Sequence, residues 1–123
     1  EPAFPTPEEV EARRAQMQII VDKIRAVQDR LVVLTGDLNL RSDHPAYAAL
    51  VRVLQDTATR PEKPATGPSM TFNGFGKEIE PDNKIDFVFI SHGLRSRSHA
   101  VIADLYQGLY PSDHFPVVST IRF

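Results

Sequence analysis

The segment Leu31-Val32-Val33-Leu34-Thr35-Gly36-Asp37-Leu38-Asn39 constrains the fold most. Its first four residues form a short, unbroken, β-branched apolar run of the kind found in strands buried on both faces. Such a strand needs cover above and below. The run passes directly into Gly36-Asp37-Leu38-Asn39, which sets a carboxylate and a carboxamide at the strand's carboxyl end. In layered α/β proteins ligands favour that end. Gly36 permits close approach by a ligand or unusual backbone angles. Asp37 can accept a proton from water, and Asn39 can donate to a phosphate oxygen. Gly, Asp and Asn are also turn residues, so a plain turn is the somewhat better reading of the tetrapeptide taken alone.

One cover for that strand lies just upstream. Thr6-Pro7-Glu8-Glu9 is a capping box with proline at the first helical position. It predicts a helix from about Pro7 to Gln28. Met17, Ile20, Ile24 and Val27 form an apolar stripe at three- and four-residue spacing, while Glu8, Glu11, Asp22 and Arg25 can face water. Asp43 or His44 can cap a second helix with Pro45 near its start and Tyr47, Leu50, Val51 and Leu54 on its buried side. A Pro/Thr/Gly-rich loop from Thr57 to Ser69 follows. Three strand-like runs come after it, Ile85 to Ser91, His99 to Leu105 and Pro116 to Phe123, separated by turn formers.

Composition limits the functional classes. The 123 residues make one domain or part of one, and 41% apolar with 24% charged residues is an ordinary soluble, globular balance. No apolar run approaches the roughly 20 residues of a membrane span. The net charge of −2 gives no overall positive field for nucleic acid. The absence of cysteine removes disulfides, thiolate metal sites and a cysteine nucleophile together. The start Glu1-Pro2-Ala3-Phe4 has neither Met nor a basic-then-apolar leader and reads as an internal or processed starting point.

Two further clusters can carry chemistry. Ser112-Asp113-His114 follows Tyr110-Pro111, a rigid turn able to aim a carboxylate and an imidazole into one site. A divalent cation prefers carboxylate oxygen, and the imidazole can donate to phosphate at neutral pH. Asp-His is also a common chance dipeptide. In Ile85-Asp86-Phe87-Val88-Phe89-Ile90, alternation puts Asp86 on the side of Val88 and Ile90. A carboxylate on an apolar face needs a partner. His114 is a natural one, and Asp86 would then fix its tautomer and raise its pKa. The competing reading is that Asp86 only opens the strand after Pro81-Asp82-Asn83-Lys84.

Taken in order, Gly36-Asp37-Leu38-Asn39, Thr71-Phe72-Asn73-Gly74-Phe75, Lys84 to Ser91, and Tyr110-Pro111-Ser112-Asp113-His114-Phe115-Pro116-Val117 closely resemble the C-terminal motifs of the endonuclease/exonuclease/phosphatase superfamily. Arg13, Gln16, Ile20 and Ile24 look like that family's helix before its Gly-Asp-Phe-Asn strand, with Leu38 in place of the usual Phe. The resemblance covers nearly the whole chain. It implies an α/β fold, the C-terminal half of a four-layer α/β/β/α sandwich, in which residues 1–123 form a single partial domain with one mainly antiparallel sheet and flanking helices.

The resemblance also implies divalent-metal-dependent hydrolysis of phosphoester bonds by activated water, with Mg²⁺ or Mn²⁺ as cofactor. Asp37 would orient or deprotonate that water and help hold the metal with Asp113. Asn39 and His114 would bind the phosphate and stabilise its phosphorane-like transition state. Asp86 would orient His114. Asn73 and Phe75 can line the substrate pocket, or form a turn packed on the sheet edge. Substrates would be small molecules, lipid head groups or nucleic acid. Arg52, Arg60, Arg95 and Arg97 can contact phosphate, although scattered cations are more often solvated. His44, His92 and His99 are expected to be solvated polar residues on loops and element ends.

The family's N-terminal Asn, metal-binding Glu and His-containing strand motif have no match here. Glu8, Glu9, Glu11, Glu78 and Glu80 lack the strand context of that ligand. The inner sheet face would be bare and apolar, so a missing N-terminal half of the same fold, or self-association, is expected to cover it. The alternative function is a non-catalytic fragment or binding module retaining half of an active site. Relatives of this kind include exported proteins, and the composition permits either location.

Overall fold

A computed structural model describes residues 6–77 and 79–123. Glu1-Pro2-Ala3-Phe4 and Glu78 lie outside the described residues. Helix α1 spans Pro7–Arg25 and begins with both arms of the capping box. The Glu9 amide donates to Thr6 Oγ1 and the Thr6 amide to Glu9 Oε2, each at 3.1 Å. The helix ends before Gln28, because the Ala26 amide reaches both the Asp22 and Ile24 carbonyls and the chain tightens into a turn. Met17, Val21 and Ile24 are its buried residues. Helix α2 spans Pro45–Val51, with His44 as its N-cap: Nδ1 accepts from the Ala46 amide at 3.0 Å.

Among the described residues five strands follow the order β1 Val33–Asp37, β2 Gln55–Asp56, β3 Asp86–Ile90, β4 Arg95–Val101 and β5 Val117–Arg122. They form two antiparallel ladders, β1-β3-β2 and β4-β5, and with the helices make an α/β fold. The run from His99 to Leu105 is displaced: β4 starts at Arg95 and ends at Val101, with a register shift between Ser96 and Ser98. The two-residue β2 carries too little pattern to be read from sequence.

The strand buried on both faces is β3. Phe87 and Phe89 point into a core built by Met17, Val21, Ile24, Leu50 and Leu54. Val88 and Ile90 join Leu94, Val117 and Ile121 in a second cluster that binds the two ladders together. Burying one such side chain contributes about 1.5–3 kcal/mol. Phe89→Ala would cost about 3–5 kcal/mol. The expectation of two-sided burial fails for Leu31-Val32-Val33-Leu34, because the helices cover one face only. Val32 and Leu34 pack on the core, whereas Leu31 and Val33 remain 61% and 49% exposed. Val118 on β5 is also half-exposed, at 52%.

His99 is also corrected. It is buried within β4, where its Nδ1 lies 2.9 Å from Thr57 Oγ1 and 3.2 Å from Ser119 Oγ. His44 is half-buried by its capping role, and of the three only His92 is exposed.

Candidate functional site

The pairing of β1 with β3 sets Asp37 directly opposite Asp86. Like charges facing each other across a ladder destabilise it unless something positive lies between them. His114 lies between them, where a proton on its ring offsets both. Its Nδ1 is 2.7 Å from Asp86 Oδ2, and its Nε2 is 3.8 Å from Asp37 Oδ2 and 4.0 Å from Asp113 Oδ1. The hydrogen bond that the ring donates to Asp86 raises the imidazole pKa, burial opposes the rise, and the charges of Asp86, Asp37 and Asp113 add to it. The strand carboxylate that needed a partner therefore has one, and the ring turns its other nitrogen toward two more carboxylates.

Local structure holds each part in place. Asp37 Oδ1 accepts from the Asn39 amide at 2.8 Å, and Asn39 adopts a positive φ of 51°, a conformation Asn tolerates better than most residues. Arg13 of α1 donates to the Asn39 carbonyl. Gly36-Asp37-Leu38-Asn39 thus forms the turn, and the same turn sets Asp37 within 3.8 Å of His114. An open, polar depression of about 460 Å³ lies beside it, lined by Glu9, Ala12, Arg13, Gln16, Asp37, Leu38 and Asn39. Asn73 is fully buried; its Oδ1 accepts from the Phe75 amide at 2.7 Å. Its Nδ2 meets no acceptor among the described residues. A buried donor without a partner is costly, which marks that atom for a further oxygen. The Asn73 amide donates to the Asp113 carbonyl at 2.7 Å, which ties this turn to the Ser112-Asp113-His114 segment.

Sequence reasoning missed Thr71. This fully buried residue accepts at Oγ1 from the amides of Ile85 and Asp86, at 2.9 and 3.1 Å. Its carbonyl accepts from the Phe115 amide at 2.7 Å. One side chain and its backbone thereby join the segment bearing Asp86 to the segment bearing His114. Phe72 adds an edge-on contact to the His114 ring, with centroids 5.2 Å apart. A Thr placed between a loop and a turn gives no periodic signal, so only the fold reveals the role.

One oxygen each from Asp37 and Asp86 and one nitrogen of His114 lie within 4.8 Å of one another, a spacing able to hold a metal ion. Asp113 stands beside this cluster through His114 Nε2. The donor set fits a hard divalent cation, since carboxylate oxygens dominate it. Glu8, Glu9, Glu11 and Glu80 are exposed and join no such cluster among the described residues. Arg52, Arg60, Arg95 and Arg97 are exposed too.

The profile of the Endonuclease/Exonuclease/phosphatase family matches residues 2–114. No curated protein matches the chain. Among solved structures, an endonuclease/exonuclease/phosphatase from Bacteroides vulgatus superposes with a TM-score of 0.82 at 30% identity, over 93% of this chain and 45% of its own. A mannosyl-6-phosphatase from Bacteroides thetaiotaomicron VPI-5482 gives 0.79 at 26% identity, over 92% of this chain and 46% of its own. A sphingomyelinase C from Streptomyces griseocarneus shares the fold at 20% identity with a TM-score of 0.61, over 97% of this chain and 48% of its own. The chain spans a little under half the length of these structures. An opposed pair of carboxylates bridged by histidine, in strands that superpose on members of one family whose profile also covers the sequence, fixes its descent: the chain belongs to the endonuclease/exonuclease/phosphatase family.

Proposed function

We propose that this chain supplies the water-activating and phosphate-stabilising half of a divalent-metal-dependent phosphoester hydrolase. The observation that supports it most is the Asp37–Asp86 pair with His114 between the two carboxylates. Three carboxylates surround one imidazole, so an incoming phosphate needs more positive charge than His114 alone provides. Mg²⁺ or Mn²⁺, held by Asp37 and Asp113, would supply that charge as a Lewis acid.

The chain's own groups divide the remaining work. Asp37 orients the attacking water and accepts its proton. Asp86 fixes the His114 ring and sustains its charge, so that Nε2–H donates to a phosphate oxygen. The Asn39 carboxamide donates to the same phosphate, and Nδ2 of Asn73, which meets no acceptor among the described residues, is a further donor beneath the site. Donors set in advance where negative charge develops stabilise the transition state more than the ground state.

The substrate reading leans to a small phosphoester. A net charge of −2 offers no general attraction for a polyanion, and one relative is named a mannosyl-6-phosphatase. Activity should therefore respond weakly to salt, where a nuclease would lose affinity steeply.

A second reading has its own support, because no glutamate joins the cluster among the described residues. In this reading the chain in isolation is a non-catalytic module retaining half of the site. The half-exposed Val33 and Val118 support an apolar face covered by the remaining half of the fold, or by a second copy. Mn²⁺ titration of the 123-residue chain alone separates the two: no binding favours the module. In the protein that joins this chain to the rest of the fold, a phosphoester should be cleaved with Mg²⁺ and spared with chelator. Asp37→Asn should slow it by about a hundredfold or more. Full activity in that variant would refute the role given to Asp37.

A further inference from the structure

The turn beside Asp113 holds an aromatic side chain in an unfavourable way. Gly74, Phe75 and Gly76 have φ values of 57°, 57° and 84°, so three consecutive residues occupy the left-handed region. Glycine does so at little cost, whereas a residue with a Cβ does not. Phe75 carries that cost while the residue stays 58% exposed, so among the described residues core packing does not offset it. Strain held against a residue's own preference, next to a reactive site, is a recurrent sign of use by a ligand.

The turn is also rigidly seated. Phe75 N–H donates to the buried Asn73 Oδ1 at 2.7 Å, and the amides of Asn73 and Gly74 both donate to the Asp113 carbonyl, at 2.7 and 3.2 Å. On the other side, a Cβ at Gly76 would meet Cε2 of Tyr110 at 2.8 Å, so the Tyr110 ring closes against the turn. Tyr110 in turn packs on Phe115, one residue beyond His114. The exposed ring therefore belongs to the same rigid unit as Asp113 and His114.

We propose that Phe75 is a specificity-determining wall of the site, stacking on the flat face of a ring carried by the alcohol part of the phosphoester. This rests on the hydrolase reading above and narrows it to ring-bearing substrates. A sugar ring or a nucleoside presents such a face, and an aromatic side chain held in place stacks on it without ordering a loop.

The test uses the protein that joins this chain to the rest of its fold. Calorimetry measures the affinities of glucose 6-phosphate, adenosine 5′-monophosphate and the ringless glycerol 3-phosphate for wild type, Phe75→Ala, Phe75→Trp and Phe75→Gly. In Phe75→Ala the preference for a ring-bearing ligand over glycerol 3-phosphate should fall roughly five- to tenfold, the scale of one aromatic contact, and Phe75→Trp should restore it. The ligand whose preference falls identifies the ring. Phe75→Gly should lose the preference and hold or raise Tm, because it removes the strain. An unchanged preference in Phe75→Ala, equal loss for all three ligands, a wild type that binds none of them, or a clear fall in Tm for Phe75→Gly would each overturn the proposal. The last would show that Phe75 packs against another part of the fold. A wild type that binds with a ring preference and hydrolyses none of the three would end the hydrolase reading and leave the wall standing.

Discussion

Two histidines in this chain sit in opposite surroundings. His114 lies at the partly exposed end of β3, bonded to a carboxylate and facing two more. His99 lies buried in β4, bonded to the hydroxyls of Thr57 and Ser119, which are themselves 2.7 Å apart. Ser96 extends this uncharged network by donating to the Thr57 carbonyl at 2.7 Å. Asp86 raises the pKa of His114, whereas burial, with Lys84 nearby, lowers that of His99 against the weaker pull of Asp56. The same side chain thus becomes a charge carrier in one place and a neutral staple between strands in the other. The partners decide which, and the presence of a histidine alone decides nothing.

The contrast can be broken first where it is largest. Asp86→Asn removes the charge that holds His114 and should lower kcat by about a hundredfold, the scale of one positioned donor lost. His99→Gln should leave kcat within a few-fold in steady-state assays. Equal losses would erase the distinction between site and staple. Stability should show the reverse ranking. His99→Ala removes the ring that both hydroxyls bond and leaves a gap in the network, and should cost about 1–3 kcal/mol by denaturant unfolding.

The pH response has opposite signs at the two residues. His114 binds its proton more tightly folded than unfolded. Its stabilising contribution is full below the unfolded value of 6.5 and fades as pH rises through the higher folded value. His99 binds its proton less tightly when folded. Its contribution is full above 6.5 and is lost as pH falls from there through the lower folded value. NMR titration of the two imidazoles in the metal-free protein should therefore find one midpoint above 6.5 and one below it. Midpoints that coincide would remove the basis of the comparison.

A smaller effect sharpens it further. Thr71→Val deletes the acceptor shared by the Ile85 and Asp86 amides and should lower kcat by about tenfold, while Thr71→Ser keeps the hydroxyl and should stay near wild type. A Ser variant as impaired as the Val variant would assign Thr71 to packing.

What the sequence showed of this arrangement follows from the range of the forces involved. The capping box at Thr6 and Glu9 is a local device and is formed as read. The apolar alternation from Ile85 to Ile90 marked a strand on which a carboxylate would need help, and His114, 28 residues away, lies at bonding distance. The covering of Leu31-Val32-Val33-Leu34 depends on what packs against it, which the run itself does not encode. Burial of His99 rests on Thr57, 42 residues earlier, and Ser119, 20 residues later, both plain polar residues in the sequence. Asn73 and Phe75 were legible as a pocket or a turn. The structure shows the turn, with the buried amide beneath it and the exposed ring above.

The most direct test of the account is whether Asp86 acts through His114. Groups that work as one unit do not add their losses. In the protein that joins this chain to the rest of its fold, the double variant Asp86→Asn/His114→Ala should have a kcat no lower than His114→Ala alone. If instead the two losses multiply, Asp86 acts on its own and the pairing at 2.7 Å does not organise the site.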